Sequence, residues 1–278
     1  MSNPDYDKTI NAQYDVGGLR SRIASALETL SDLDSSARWE SLSSLDELHI
    51  GGREASLKLA RRANLRSGDT VLDVGSGLGG PARLLAREFG CRVTGLDLTL
   101  DYCEIAKTLT EFVELTSHVK FKHGDALDMP FESQQFDAVW LQHCSMNIPD
   151  KRKLYSEVRR VLKTEGTLII HDVVTGPNQP ILYPVVWANH PDLSFLLSPE
   201  ELRAVLRESG FTETHWNDIT GEALDWFHQL RTAPKQPVDR PRITQKLIFK
   251  ESIIQMSQNV QKNLAEERIR VVESLLKR

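Results

Sequence analysis

The chain has 278 residues, 40% of them hydrophobic and 26% charged, with a formal net charge of −5. That is ordinary globular usage, with apolar material for one large α/β core and its decorations. The acidic balance, with a pI near 5.9, argues against a nucleic-acid footprint, which needs a basic face.

Cys91, Cys103 and Cys144 form no CxxC pair and supply no disulfide framework, so a reducing compartment is expected. Met1 to Lys8 is polar and lacks the apolar stretch of a signal peptide. No apolar run approaches the ~20 residues that span a bilayer. The expected location is the cytoplasm, with no membrane span and no nucleic-acid partner; monomer and homodimer both stay open.

In chain order, a helical pattern covers Leu19–Leu33, and serine/aspartate clusters at Ser31–Ser36 and Ser41–Asp46 break it. Residues 1–53 therefore read as an N-terminal cap, ending in Leu48-His49-Ile50-Gly51-Gly52 ahead of a helix over Glu54–Asn64. From Thr70 the pattern alternates strand and helix. Strands are predicted at Thr70–Val74, Cys91–Leu96, Val119–His123, Phe136–Leu141 and Gly166–Val174. Between them fall helices at Pro81–Phe89, Thr99–Val113 and Lys151–Leu162, with a turn at Thr164-Glu165-Gly166. The short basic clusters Lys151-Arg152-Lys153 and Arg159-Arg160 read as solvated helix faces. This rhythm predicts a parallel, doubly wound sheet, the Rossmann-like α/β class.

After Val174 the rhythm breaks. Residues 175–197 carry four prolines together with Tyr183, Trp187 and Phe195, too apolar for a linker and too proline-rich for a helix. They read as an insertion closing a pocket. Ser198-Pro199-Glu200-Glu201 then starts a helix running to Gly210, with a serine cap, a proline in the first turn and a glutamate three on. Strand six is predicted at Phe211–Ile219, a helical stretch near Ile243–Asn263, and a seventh strand over Arg268–Leu276.

The strongest chemical signal is Asp73-Val74-Gly75-Ser76-Gly77-Leu78-Gly79-Gly80, a glycine loop between a strand and a helix. Such a loop lets backbone approach a nucleotide cofactor closely. Asp97 ends the second strand 22 residues after Gly75, placed to accept both ribose hydroxyls, and Asp125 follows the third strand within reach of an adenine edge. Asp73 separates the two cofactors such a loop serves. A carboxylate at the helix N-terminus repels a pyrophosphate but attracts the ammonium of a methionine moiety. S-adenosyl-L-methionine is therefore favoured over a nicotinamide dinucleotide, and a nicotinamide-dependent oxidoreductase is the alternative from another class.

These residues resemble the class I S-adenosylmethionine-dependent methyltransferase family. Asp73-x-Gly75-x-Gly77-x-Gly79 is similar to its first motif, Asp97-Leu98 to its ribose-holding acid and neighbour, and Gly124-Asp125-Ala126 to its adenine-contacting motif. Leu141-Gln142-His143-Cys144 would line the cofactor near the methyl group. The flanks resemble the sarcosine/dimethylglycine methyltransferase-like branch: Leu48–Gly52, Tyr183–Ala188, Ser198–Leu202 and Trp216-x-Asp218-x-Thr220. The resemblance implies a seven-stranded, mostly parallel sheet, with residues 54–278 as the methyltransferase domain. It implies a cofactor site at Gly52, Asp73, Gly75, Gly77, Gly79, Asp97, Leu98, Asp125, Ala126 and Gln142, and S-adenosyl-L-homocysteine as product.

The expected acceptor is the nitrogen of a small amine or amino acid such as sarcosine or dimethylglycine. A quinone, tocopherol-like, sterol or natural-product acceptor is the alternative. Transfer from an activated sulfonium needs positioning and a dry site more than a strong catalyst. No metal cluster, HxxxH pair or GxSxG elbow is visible, and no metal is expected. His143 and His49 are the candidate bases, since imidazole titrates near neutral pH. Trp187, Trp216 and Tyr183 are candidates to face a cationic product. Asn147-Ile148-Pro149-Asp150 lacks the aromatic residue of an amide-methylating loop and is set aside.

Overall fold

The computed structural model describes residues 17–232 and 243–278; residues 1–16 of the expected cap lie outside the described residues. The chain opens with α1 (Leu19–Glu28), whose Leu19, Ile23 and Leu27 recur every four residues and bury one face. The serine-rich segment expected to break structure is instead a second helix, α2 (Ser35–Asp46). Asp34 caps it by accepting from the Ala37 N–H, and Ser41 and Ser43 return their hydroxyls to carbonyls three residues back. Back-bonded in this way, the hydroxyls satisfy themselves within the helix, and the modest cost of serine there is offset by burial of the helix's apolar side chains. Buried Trp39, Leu42 and Leu45 hold the helix down.

α3 (Gly52–Arg62) leads into β1 (Thr70–Val74), α4 (Gly80–Phe89), β2 (Arg92–Asp97), α5 (Leu100–Phe112) and β3 (Val119–His123). β4 (Phe136–Gln142), α6 (Lys151–Val161), β5 (Leu162–Thr175), α7 (Pro199–Glu208) and β6 (Thr212–Asp218) follow. The turn expected at Thr164–Gly166 is absorbed into β5, where the β4–β5 register shifts between Phe136 and Ala138. α7 begins with the full capping box of Ser198 and Glu201. The helix α8 (Thr220–Thr232), unforeseen from the sequence, comes next; Asp218 accepts from the Thr220 N–H at its start. The expected helical stretch beyond Ile243 divides into α9 (Lys246–Phe249) and α10 (Ser252–Ala265), and β7 (Ile269–Lys277) closes the sheet.

The seven strands lie in the order β3-β2-β1-β4-β5-β7-β6. The first five are parallel, and β7 inserts antiparallel between β5 and β6. This is the Rossmann-like doubly wound fold expected from the sequence. The order reverses between β1 and β4, so the crevice at their carboxyl ends is where such sheets bind ligands. One face buries Val71, Val93 and Trp140 against α1, α2, α4 and α5. The other buries Leu72, Val139 and Leu168 against α6 and α7. A third apolar cluster joins the insertion to α8 and α10 through Val185, Trp187, Phe227 and Val260.

Residues 176–197 have almost no regular structure, yet asparagine side chains hold them. Asn263 bonds both the N–H and the carbonyl of Leu182 at 2.8 and 2.9 Å, and Asn259 donates to Pro184 at 2.9 Å. Asn147 donates to the carbonyls of Trp187 and Leu193. No helix among the described residues is long and apolar enough to cross a membrane.

Candidate active site

A cavity of about 610 Å³ opens at the carboxyl ends of the central strands. Of the site residues expected from the sequence, His49, Gly52, Asp73, Gly75, Gly77, Asp97, Leu98, Asp125, Ala126, Gln142 and His143 all line it. Gly79 does not. A side chain at Gly79 would collide with Phe121 and Arg83, so its glycine serves close packing beneath the loop rather than ligand contact.

The loop after β1 is tied to β2. The N–H groups of Gly75 and Ser76 both donate to the Leu96 carbonyl, and Gly77 donates to Asp97 at 2.8 Å. The other Asp97 oxygen accepts from Thr99 at 2.9 Å. Each oxygen keeps lone-pair capacity for one more donor. Gly75 has φ 71° and Gly77 φ 52°, a region only glycine enters freely. The two differ in what surrounds them. A Cβ on Gly75 would run into Cys144, whereas one on Gly77 meets nothing within 4 Å.

Asp73 is buried at the cavity floor, and its Oδ2 has no hydrogen-bond partner. Burial and the charge of Asp97 raise its carboxyl to about 7, against the pull of Arg83 and the Ala82 N–H. Burial likewise raises Asp97. A buried carboxylate with one idle oxygen calls for a cation or a donor from outside the chain. The α-ammonium of S-adenosylmethionine meets that need, and the open space over Gly77 admits its approach. The residues present therefore fit this cofactor.

Gln142 is more constrained than the sequence suggested. Its Oε1 accepts from the Trp140 indole at 2.9 Å and the Ser56 hydroxyl at 3.2 Å, while Nε2 faces His171 Nδ1 at 3.3 Å. One N–H remains for a ligand. His171, which the sequence reading passed over, lies on β5 and completes a cluster of three imidazoles. His143 stacks on it at 5.0 Å, and His49 lies 6.1 Å from His143 and 5.9 Å from His171. Burial drives all three well below the usual imidazole value, His49 to about 4 and His171 to about 3. All are neutral at physiological pH. Among the described residues no group of three or more His, Cys, Asp or Glu is placed to hold a metal.

Beyond this polar end the wall is apolar. Met146, Ile148, Val186 and Trp187 come from β4's exit and the insertion, and Trp226, Phe227 and Leu230 from α8. Phe249, Ile253 and Val260 come from α9 and α10. Trp187 lies on the cavity as expected, but Tyr183 and Trp216 are not in its wall. Tyr183 packs with the third apolar cluster, and Trp216 packs on the core with Arg203 over its ring. The α8 contribution went unread because α8 did; its Ala223 and Phe227, four apart, are the signal that was there.

Lys151 also departs from its expected solvated face. Its ammonium is buried and donates to the carbonyls of Ser145 (2.6 Å), Ile148 (2.5 Å) and Phe195 (2.8 Å). Burial lowers it to about 8, opposed by the charge of Asp172. Asp172 in turn accepts from the Ser145 N–H and hydroxyl. The insertion is thus pinned to the segment after β4. Lys151→Met should remove a buried ammonium from three carbonyls, of which that of Ser145 keeps the Ile148 N–H, and cost about 3–5 kcal/mol. Urea unfolding measures it, and a loss below about 1 kcal/mol would contradict this role.

Residues 72–170 match a methyltransferase domain family. Two curated relatives show how widely such sequences range. The chain is 38% identical over 173 residues to phosphoethanolamine N-methyltransferase 2 of Caenorhabditis elegans, covering 61% of this chain and 39% of that protein. It is 39% identical over 182 residues to a sterol 24-C-methyltransferase of Saccharomyces cerevisiae, covering 62% and 47%. The chain thus spans less than half the length of either relative. Among solved structures, geranyl diphosphate C-methyltransferase from Streptomyces coelicolor A3(2) superposes with TM-score 0.67 at 19% identity, over 100% of this chain and 99% of that one. At that identity the likeness is one of fold.

Proposed function

We propose that this chain binds S-adenosyl-L-methionine and transfers its methyl group to a small, largely apolar acceptor, releasing S-adenosyl-L-homocysteine. The observation that carries the reading is one continuous cavity with two unlike halves. Asp73, Asp97, Asp125 and the glycine loop form the polar half, and the apolar side chains of the insertion, α8, α9 and α10 form the other. The bound cofactor supplies an already activated methyl carbon. The chain's own contribution is then to align the acceptor and keep water out. Asp97 would hold the ribose, Asp125 and Ala126 the adenine, and Asp73 the ammonium. Gln142 has one N–H left to offer, and His49 and His143 are the neutral imidazoles that could take an acceptor's proton.

The cavity favours the apolar acceptor over sarcosine or dimethylglycine. A small zwitterion needs a cation for its carboxylate. Arg53, the basic side chain in the described cavity wall, is already engaged by Glu40 and Glu47 and lies over Trp39. Leu230, 59% exposed and in the wall, leaves the mouth itself apolar. Of the two relatives, the sterol methyltransferase supports an apolar acceptor and the phosphoethanolamine methyltransferase an amine; the cavity wall favours the first here.

S-adenosylhomocysteine release should be measured with sarcosine, dimethylglycine, a hydroquinone, a sterol and a catechol. Turnover on an apolar acceptor, with none on the amino acids, is the expected result. Turnover on sarcosine or dimethylglycine alone would overturn the acceptor class and leave the methyl transfer standing.

A further inference from the structure

The cavity wall holds two imidazoles, and their surroundings are not equivalent. His49 Nε2 sits 3.0 Å from the Gly52 carbonyl, 3.0 Å from Ser56 Oγ and 3.3 Å from Glu47 Oε2. A carbonyl only accepts, so Nε2 must carry the proton. Ser56 agrees with this assignment. Its hydroxyl donates to Gln142 Oε1, leaving its oxygen free to accept from His49. Gln142 cannot turn over and reverse the arrangement, because the Trp140 indole N–H only donates and fixes Oε1 as the acceptor. Three side chains and one backbone carbonyl thus determine a single tautomer. The other nitrogen, Nδ1, has no hydrogen-bond partner among the described residues, and its ring lines the cavity.

His143 is placed differently. Its ring stacks on His171, its Nε2 is buried without a hydrogen-bond partner, and, although His143 is more exposed than His49, no hydrogen bond among the described residues fixes which of its nitrogens carries the proton. A proton taken there would place a charge against His171 at 5.0 Å; His49 also has the other two imidazoles about 6 Å away, so the difference lies in the carboxyl beside it. A proton taken by His49 would place the charge beside Glu47, a buried carboxyl whose oxygen lies 3.3 Å from Nε2. Resting on the methyl-transfer reading above, we infer that His49 is the base of this site and that it acts through Nδ1, with Glu47, Ser56 and Gln142 as positioning residues. The acceptor class that follows is one that gives up a proton, an O–H or N–H. The heteroatom–hydrogen bond breaks, its electron pair stays on the heteroatom, the proton passes to Nδ1, and Glu47 faces the resulting imidazolium.

The groups facing His49 are Glu47 on its own segment, Arg53 of α3 through its contact with Glu47, His143 beyond β4, and His171 on β5. Its pull down to about 4 keeps it unprotonated across the working range. kcat/KM for the acceptor at saturating cofactor, which reports groups free before the acceptor binds, should therefore show no inflection near pH 6.5, where a solvated histidine would give one.

The direct test needs no acceptor. Two-bond ¹H–¹⁵N spectra of the full chain at pH 7 report the tautomer of each imidazole, with His49 assigned by its disappearance in His49→Gln. A protonated Nε2 and a pyridine-type Nδ1 are expected; a protonated Nδ1 would overturn the inference, whatever the enzyme's activity. A second arm uses whichever acceptor turns over. His49→Gln should lower kcat at least about 100-fold, with S-adenosylhomocysteine affinity within threefold of the wild type. An unchanged kcat would also overturn the inference. Failure of every acceptor, with the expected tautomer found, would count against the methyl-transfer reading and not against the tautomer.

Discussion

Asp73→Asn should weaken S-adenosylhomocysteine binding by roughly 30- to 100-fold and remove its dependence on pH near neutrality. The loss corresponds to one charge-assisted hydrogen bond in a dry site, about 2–3 kcal/mol at 1.4 kcal/mol per decade. The pH dependence follows from the raised carboxyl. At about 7, Asp73 is half protonated at neutral pH in the unliganded chain. A cationic ammonium binds the ionised form, so affinity should rise from pH 6 to pH 8 and then level, with proton release on binding near pH 7. For the fold itself the sign is opposite. A carboxyl raised from 3.8 holds its proton more tightly when folded, so its contribution to stability is present at low pH and lost as pH climbs through about 7. Calorimetry in two buffers of different ionisation heat checks the proton release. Equal affinities for Asp73→Asn and the wild type at pH 8 would remove Asp73 from the site.

Gly77→Val should abolish cofactor binding, by more than about 100-fold, while leaving a folded protein. The two effects separate because a Cβ at Gly77 meets no protein atom within 4 Å while Gly77 lines the cavity. The cost to the fold is confined to a left-handed backbone position, about 1–2 kcal/mol. Gly75→Ala provides the contrast. Its methyl collides with Cys144, so it should lose stability as well as binding. Thermal melts beside binding isotherms distinguish the pair. Retained affinity in Gly77→Val would place the cofactor elsewhere.

Much of the cofactor half was legible because its signals are local. A strand, a glycine loop and an acid at the end of the next strand occupy fixed spacings, and β1 and β3 fall at their predicted residues. What was not legible depends on tertiary contact. α2 reads as broken until its serines are seen bonded back to their own helix. Lys151 looks solvated beside Arg152 and Lys153, yet its ammonium turns inward to three carbonyls. Gly79 belongs to the same motif as Gly77 but faces Phe121 rather than the cavity. Trp216 and Trp187 look alike as lid aromatics; only the packing sends one to the core and the other to the cavity. The apolar wall comes from α8, α9 and α10, far in sequence from the motifs, so nothing in the motif spacing points to it.

The acceptor half is also where the two sequence readings of the substrate part. Small zwitterions and apolar acceptors share every cofactor residue, so they differ only in what the far wall offers. That wall offers Met146, Trp187, Phe227, Leu230 and Phe249, and one arginine already paired.

Titration calorimetry of the full chain with S-adenosylhomocysteine, and separately with NADH, tests the central claim most directly. The account predicts one site per chain for S-adenosylhomocysteine, with affinity that strengthens between pH 6 and pH 8, and no binding of NADH. Binding of NADH without S-adenosylhomocysteine would contradict it, because the carboxyl of Asp73 would then face a pyrophosphate.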